Sequence, residues 1–121
     1  KKTTKLLEIK GRKILIENFF EGVVRFNFDE LCNKNLGSED YIEIANASDF
    51  IFLENLPDFN ENNSNQQQRF ISLIDIIYEK KIPMMITSEI ELNLIKSSKT
   101  LIEPFKRTIS RLYELTSINY N

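Results

Sequence analysis

The fold is decided by three stretches of sequence: residues 50–53 (FIFL), 66–80 (QQQRFISLIDIIYEK) and 82–87 (IPMMIT). The first is short, wholly apolar and typical of a strand buried on both faces of a parallel sheet. In the second, apolar residues recur at intervals of three and four, which predicts an amphipathic helix. The third predicts another strand, which Pro83 either confines to an edge of the sheet or makes irregular in its first residues. Together they predict a βαβ unit with two neighbouring parallel strands.

The N-terminal part of the chain adds two more strand patterns and a helix start. Residues 5–17 (KLLEIKGRKILIE) alternate around Lys10-Gly11 and predict a β-hairpin, because glycine accepts the positive φ of a tight turn. Residues 23–26 (VVRF) predict a third strand. Asn27 follows with a helix-capping side chain, so a helical turn is expected there, ended by Gly37.

Helices separated by polar loops are predicted for the other segments. Residues 38–40 (SED) offer a capping hydroxyl and two acids for a helix that ends near Ala47. Polar composition favours a loop that leads into the start of a helix at 60–68 (NENNSNQQQ), and a second loop at 97–100 (SSKT). Two further helices are predicted, at residues 89–96 and from about Pro104 onward, the second burying Phe105, Ile109, Leu112 and Leu115.

These elements predict an α/β fold for the chain. An N-terminal β-hairpin leads into a small βαβ-containing sheet flanked by helices, and a C-terminal helix ends the fold. At 121 residues the chain is long enough for one domain with its own core, so residues 1–121 are expected to form a single domain.

The composition excludes several classes of protein. With 16 Lys and Arg against 18 Asp and Glu, the net charge of −2 is unlike that of a general nucleic-acid-binding protein. The sequence has no histidine and one cysteine, Cys32, so zinc sites, internal disulfides and Ser–His or Cys–His catalysis are not expected. Gly11, Gly22 and Gly37 are too far apart for a phosphate-binding loop. The chain by itself is therefore expected to bind neither a nucleotide nor a metal.

The sequence also shows no apolar run with the length of a membrane span or a signal peptide. This favours a reducing, aqueous compartment. Residue 1 is Lys rather than Met, so the chain is interpreted as a portion of a longer protein.

Five ordered motifs extend through most of the chain. They are Phe26-x-Phe28-x-x-Leu31-Cys32, Leu36-Gly37-x-x-Asp40-Tyr41, Pro57, Arg69-Phe70-x-x-Leu73-Ile74-Asp75-x-x-Tyr78, and Phe105-x-Arg107-Thr108-x-Ser110-Arg111-Leu112-x-Glu114. The segment Leu7-x-Ile9-x-Gly11-Arg12-x-Ile14 precedes them. In order and separation they resemble the C-terminal portion of the ZapE-type P-loop ATPases, a family of bacterial cell-division ATPases and mitochondrial relatives.

The resemblance implies an ATPase whose nucleotide-binding core lies upstream and binds ATP and magnesium. Walker A and Walker B patterns do not occur in this sequence, so the isolated chain is expected to be inactive. The chain would then support ATP hydrolysis, assembly or partner binding linked to cell division. Implied partners are the upstream core and the tubulin-like division protein or membrane-protein substrates. The implied location is the cytoplasm or, alternatively, the mitochondrial matrix.

A second hypothesis is a non-catalytic protein-interaction module, or a split gene product that retains only the partner-binding end. The coding sequence upstream of Lys1 distinguishes the two hypotheses, because only an ATPase would carry a Walker A segment in frame.

Two positions depart from the family pattern. Residues 113–117 (YELTS) replace the methionine-rich ending of the family, and Gln68-Arg69 replaces its usual pair of arginines. The role of the first arginine of that pair is therefore not carried over to this chain.

Arg107 and Arg111 are the candidates for contact with a nucleotide. They are four residues apart, so they lie on the same face of a helix and could present two guanidinium groups to one anion. Alternatively, both form structural ion pairs with carboxylates, for which the candidates are Asp40, Asp75 and Glu103. Arg111 is assigned the structural role, since the adjacent Leu112 faces the core, whereas Arg107 lies nearer the exposed helix start.

The other motif residues are interpreted as structural: Phe26, Phe28, Asp40, Tyr41, Arg69 and Asp75. Arg69 and Asp75 lie six apart on one helix and do not face each other, so each is expected to contact another element.

Four acids and one thiol are the remaining candidates for a chemical role. The acids Asp29, Glu30, Glu39 and Asp40 fall in first helical turns, where negative charge is stabilising, so no metal site is assigned to them. Cys32 is interpreted as a small core residue, because its neighbours are acidic and a reactive thiol requires cationic ones.

Overall fold

A computed structural model describes residues 3–9, 12–20 and 22–117, with side chains described from residue 22 onward. The strands are β1 (Thr3–Ile9), β2 (Arg12–Phe20), β3 (Val23–Asn27), β4 (Phe50–Glu54) and β5 (Met84–Ile86). The helices are α1 (Phe28–Cys32), α2 (Ser38–Asn46), α3 (Ser64–Lys80) and α4 (Ile102–Thr116), with 3₁₀ turns at Glu61–Asn63, Leu92–Leu94 and Lys99–Leu101.

All five described strands form one sheet in the order β1-β2-β3-β4-β5. The pairs β1–β2 and β2–β3 are antiparallel, and β3–β4 and β4–β5 are parallel. The predicted α/β class, the hairpin, the βαβ unit and the C-terminal helix are therefore confirmed. Ile9 pairs with Arg12 across the hairpin, while the predicted turn at Lys10-Gly11 lies outside the described residues.

The βαβ unit consists of β4, α3 and β5. Helix α3 begins at Ser64, two residues earlier than its predicted start, and Ile51 of β4 lies beside Met84 of β5. Strand β5 is an edge strand, as Pro83 predicts, but it covers only residues 84–86 of the predicted 82–87. Proline has no N–H to donate to a neighbouring strand, so regular pairing begins after it.

The short helix α1 is capped as predicted. The Asn27 side chain accepts a hydrogen bond from the N–H of Asp29 (3.1 Å), and the Glu30 carboxylate accepts one from the N–H of Asn27 (2.8 Å). The prediction for Gly37 was wrong. α1 ends at Cys32, and Gly37 instead caps the start of α2, where its N–H donates to the Asp40 carboxylate (2.7 Å).

The segment between β5 and α4 also differs from its prediction. Residues 89–96 contain only a single 3₁₀ turn, Leu92–Leu94, instead of a helix. The N–H of Lys96 donates to the Asp58 carboxylate (2.6 Å), and the carbonyl of Lys96 accepts from the N–H of Phe59 (3.0 Å). These tertiary hydrogen bonds tie the end of the segment to residues 58–59, and helical periodicity alone does not reveal them.

Two loop boundaries shift as well. The predicted loop at 97–100 runs into the 3₁₀ turn Lys99–Leu101, and α4 begins at Ile102, two residues before Pro104. A proline is tolerated in the first turn because the N–H groups there have no partner within the helix.

The core lies between the helices and one face of the parallel strands. Strands contribute Val24, Phe26, Ile51, Leu53 and Met84, and helices contribute Phe28, Ile44, Phe70, Ile74, Ile77, Phe105 and Leu112. The interpretation of 50–53 as buried on both faces was wrong in part. Ile51 and Leu53 are buried, but Phe50 and Phe52 are only half-buried on the opposite face.

Candidate functional site

The predicted site residues of the last motif lie on α4, which packs against α3. Arg111 forms an ion pair with Asp75 of α3. Its guanidinium group also lies 4.8 Å from the ring centroid of Tyr78, one turn further along α3. Of the three carboxylates considered for the arginines, Asp75 is thus the partner of Arg111. Two contacts fix the Arg111 side chain to the neighbouring helix.

Tyr78 extends this cluster to a fourth residue. Its hydroxyl donates to the Glu114 carboxylate, 3.1 Å from each oxygen. The hydrogen bond and the negative charge of Glu114 raise the pKa of Tyr78 above its usual value. The cluster of Asp75, Tyr78, Arg111 and Glu114 contains two acids and one base with mutual contacts, so it joins α3 to α4 without presenting a free cation.

Arg107 lies one turn before Arg111 on α4 and is exposed. Within residues 22–117, its guanidinium group has neither an ion pair nor a hydrogen bond with another side chain. Spacing places the two arginines on one helical face, but packing distinguishes them. Arg111 is bound to α3, whereas Arg107 is available to an anion from outside the described residues.

A second group of motif residues holds the end of α1. Arg69 of α3 donates from Nη1 to the Cys32 carbonyl (3.2 Å), and the Tyr41 hydroxyl donates to the Leu31 carbonyl (2.7 Å). The last carbonyls of a helix have no partner within it, so these two side chains complete α1. Arg69 and Asp75 therefore contact different elements, as their spacing predicts.

The aromatic motif residues lie in the core next to this group. The Phe28 ring is 5.7 Å from that of Phe59 and 5.9 Å from that of Phe70, measured between centroids. Phe26 is buried on the core face of β3. Asp40 is also fully buried, and its carboxylate accepts the Gly37 N–H. All three side chains are thus buried inside the fold, away from solvent.

Cys32 is buried at the end of α1, where sequence analysis placed it in the core. Burial raises the pKa of its thiol to about 12. Burial also raises the pKa of the neighbouring Tyr41. At neutral pH both groups are protonated, so Cys32 is not a thiolate nucleophile.

Sequence reasoning missed Asn55, which directly follows β4. It is exposed and has a positive φ of 64°, and its N–H donates to the Thr87 hydroxyl beyond the end of β5 (2.9 Å). In open α/β sheets, ligands bind outside the carboxyl ends of the strands, and strained residues are concentrated at such sites. The sequence did contain a signal for this conformation: Asn55 lies two residues before Pro57, and asparagine tolerates the left-handed conformation.

Comparison with known proteins identifies the family. The model of the AFG1-like ATPase family matches residues 1–121. The chain belongs to the AFG1-like ATPase family. The resemblance to the C-terminal portion of the ZapE-type ATPases is thereby confirmed.

Two relatives show how much of a complete family member this AFG1-like chain covers. It is 27% identical over 114 residues to Cell division protein ZapE of Escherichia coli K12, a match that covers 94% of this chain and 30% of the relative. It is 29% identical over 89 residues to Lactation elevated protein 1 homolog B of Danio rerio, covering 74% of this chain and 18% of the relative. The chain thus spans less than a third of the length of either relative. No solved structure gives a significant match.

Binding of magnesium–ATP requires oxygen ligands for the metal and a glycine-rich loop for the phosphates. Among the described residues, no group of three or more His, Cys, Asp or Glu side chains could hold a metal ion. The sequence has no clustered glycines for a phosphate loop. No step of hydrolysis is therefore assigned to the described residues. In the described part of the chain, every helix is too short or too polar to cross a bilayer.

Proposed function

We propose that this chain forms the C-terminal portion of a ZapE-like ATPase, in which a nucleotide-binding core outside these residues hydrolyses ATP with magnesium. This portion supports hydrolysis through Arg107, which contacts the nucleotide phosphates bound by the core. Arg111 positions α4 against α3, so that Arg107 is held in a fixed orientation. The chain by itself remains inactive.

The observation that carries the proposal is the difference between the two arginines. Arg111 has an acid and an aromatic ring as partners, whereas Arg107 is exposed and its guanidinium lacks a side-chain partner within residues 22–117. A guanidinium group supplied to a phosphate by another domain stabilises the negative charge that develops during phosphoryl transfer. Such an arginine must be exposed before the domains meet, and its helix must be rigid.

Calorimetric titration with magnesium–ATP tests this assignment. The 121-residue chain is expected to give no saturable heat at micromolar nucleotide, because it lacks a phosphate loop. The complete protein that contains the chain is expected to bind. A low-micromolar midpoint for the chain alone would contradict the proposal, as would a complete protein that does not bind the nucleotide.

The proposal extends to a cellular role. Similarity to a protein of E. coli that is named for cell division supports a role linked to division. The proposed location is the cytoplasm, and the proposed partner is the tubulin-like division protein. A mitochondrial matrix protein acting on membrane-protein substrates is the alternative. Co-purification from cells, with the 121 residues present or deleted, distinguishes the two by the class of protein recovered.

A non-catalytic interaction module is the second candidate, and one observation favours it. An open groove of about 550 Å³ runs between the segment after β5 and the start of α4. Five of its lining residues are apolar, two are lysines and two are polar and uncharged: Leu92, Ile95, Ile102, Phe105 and Ile109; Lys96 and Lys106; Asn93 and Ser97. A module of this kind would act without nucleotide. It is therefore supported if the complete protein binds partners but neither binds nor hydrolyses ATP.

A further inference from the structure

The outward face of the three parallel strands carries a row of apolar side chains. Paired residues of neighbouring parallel strands lie on the same face of a sheet. Val23 of β3 lies beside Phe50 of β4, and Phe52 of β4 lies beside Met85 of β5. These four residues are here called the outer sheet patch.

Exposure distinguishes this face from the core face. Met85 is 42% exposed, whereas the adjacent Met84 is 1% exposed, and Val23 is 38% exposed, whereas Val24 is 0% exposed. The Phe50 and Phe52 rings lie 6.2 Å apart and are half-buried. All four described helices contribute side chains to the core that includes Val24 and Met84, on the opposite face. Among the described helices, none therefore has its buried side chains on the patch.

Two residues of opposite charge lie beside the patch, and their charges cancel. Arg25 of β3 forms an ion pair with Glu54 of β4, and its guanidinium lies 5.5 Å from the Phe52 ring centroid. The hydrogen bond to Glu54, together with the negative charge of that carboxylate, raises the pKa of Arg25. The patch therefore offers no net charge to a nucleic acid or a lipid headgroup, and its chemistry suits an apolar protein surface.

Parallel sheets are almost always covered on both faces, because their strands are joined by crossovers whose helices pack on the faces. An open apolar face on three parallel strands thus indicates a missing layer. The relatives supply a candidate for that layer, since 30% of ZapE and 18% of the Danio protein are matched by this chain. Most of the length of each lies outside the match.

We propose that the outer sheet patch is the surface on which the nucleotide-binding core of the same ATPase packs. The proposal rests on the proposed function, because that function requires a core held firmly against this chain. A second copy of the chain is disfavoured as the occupant, because Arg25 and Glu54 already pair within one copy and leave no charge to match across a symmetric contact.

Oxidative footprinting with hydroxyl radicals tests the packing, because methionine reacts readily when exposed. Met85 is compared between the 121-residue chain and the complete protein that contains it. Buried Met84 and exposed Tyr113 of α4 serve as internal controls. Oxidation of Met85 in the complete protein is expected to fall toward that of the buried Met84, while oxidation of Tyr113 is expected to be the same in both proteins.

A matched pair of variants adds a second readout. Met85→Glu places a charge in the proposed interface at an exposed position of an edge strand, and Tyr113→Glu does the same on α4. Met85→Glu is expected to leave the melting of the isolated chain unchanged and to detach the chain from the core in limited proteolysis of the complete protein. Tyr113→Glu is expected to leave the complete protein protease-resistant.

Three outcomes overturn the proposal: equal oxidation of Met85 in both proteins, protection of Met85 in the isolated chain that rises with its concentration, or a gene that encodes these 121 residues alone. The second outcome would identify a copy of the chain as the occupant. If the complete protein hydrolyses ATP while Met85 stays exposed, the packing proposal is wrong and the proposed function stands. If Met85 is protected but the complete protein does not bind ATP, the proposed function is wrong and the packing proposal stands.

Discussion

Arg111 of α4 and Asp75 of α3 form an ion pair that joins the two helices carrying the last two sequence motifs. The pair is partly exposed, with 27% of the Arg111 side chain and 43% of the Asp75 side chain accessible to solvent. Solvent screens such a pair, so its contribution to stability is smaller than that of a fully buried one. Its main effect is to fix the position of α4.

Replacement of Arg111 by alanine is expected to lower the free energy of unfolding by about 1–2 kcal/mol, the sum of a partly screened ion pair and a cation–π contact with Tyr78. Chemical denaturation of the 121-residue chain measures the change. Ser110→Ala, at the exposed neighbouring position, is the control and is expected to change the value by less than about 0.5 kcal/mol. A similar small effect for Arg111→Ala would contradict the anchoring role.

Replacing core residues of α3 by alanine is expected to lower the free energy of unfolding more than Arg111→Ala does. Phe70 and Ile74 are both 0% exposed, and alanine at either site is expected to cost about 2–5 kcal/mol, the usual cost of emptying a core position. Ile42→Ala on α2 is the control, because Ile42 is 39% exposed. Losses below about 1 kcal/mol at both core positions, measured by denaturation, would mean that the assigned helix face is wrong.

Alkaline pH is expected to destabilise the fold through Cys32. Its thiol has a pKa of about 12 in the folded chain and 9.0 as an ordinary thiol, so the unfolded chain loses the proton first. The stabilisation is complete below pH 9 and is lost as pH rises toward 12, by up to about 1.4 kcal/mol per pH unit.

Denaturation of the native chain and of Cys32→Ala between pH 8 and 10 measures this slope. Tyr41, whose pKa is also raised, remains in both proteins and serves as the shared background. The alanine variant is expected to lose less stability over the interval. Equal slopes for the two proteins would show that the thiol is not protected from ionisation.

The sequence predicted the β4–α3–β5 unit because each element has a clear local signal. Phe70, Ile74 and Ile77 repeat with the period of a helix, and the strands on either side are short apolar runs. The helix prediction for 89–96 was wrong because Lys96 forms hydrogen bonds with Asp58 and Phe59, which precede it by 38 and 37 positions. The apolar spacing of the segment is helix-like, but these contacts favour another conformation. Such long-range contacts leave no local pattern.

The sequence predicted which residues belong to the candidate site, but it did not predict which of them contact each other. Spacing placed Arg107 and Arg111 on one face of a helix, yet only the packing of α4 on α3 shows that Asp75 and Tyr78 engage Arg111. Asn55 was missed because the residue that its N–H contacts, Thr87, lies 32 positions further along the chain, beyond the end of the neighbouring strand. The half-buried Phe50 and Phe52 were missed because an apolar run does not reveal which face a strand leaves open.

The turnover of the complete protein carrying Arg107→Ala tests the central claim most directly. The rate per folded molecule is measured beside the melting temperature, with Ser110→Ala as the matched control on the same helix. The account predicts a fall in kcat of at least about 100-fold, since an arginine supplied to the phosphates contributes about 10³–10⁵ in the best-known cases, with melting unchanged. An unchanged rate per folded molecule, or a variant that melts while the folded fraction keeps its full rate, would contradict the claim that Arg107 acts on the nucleotide.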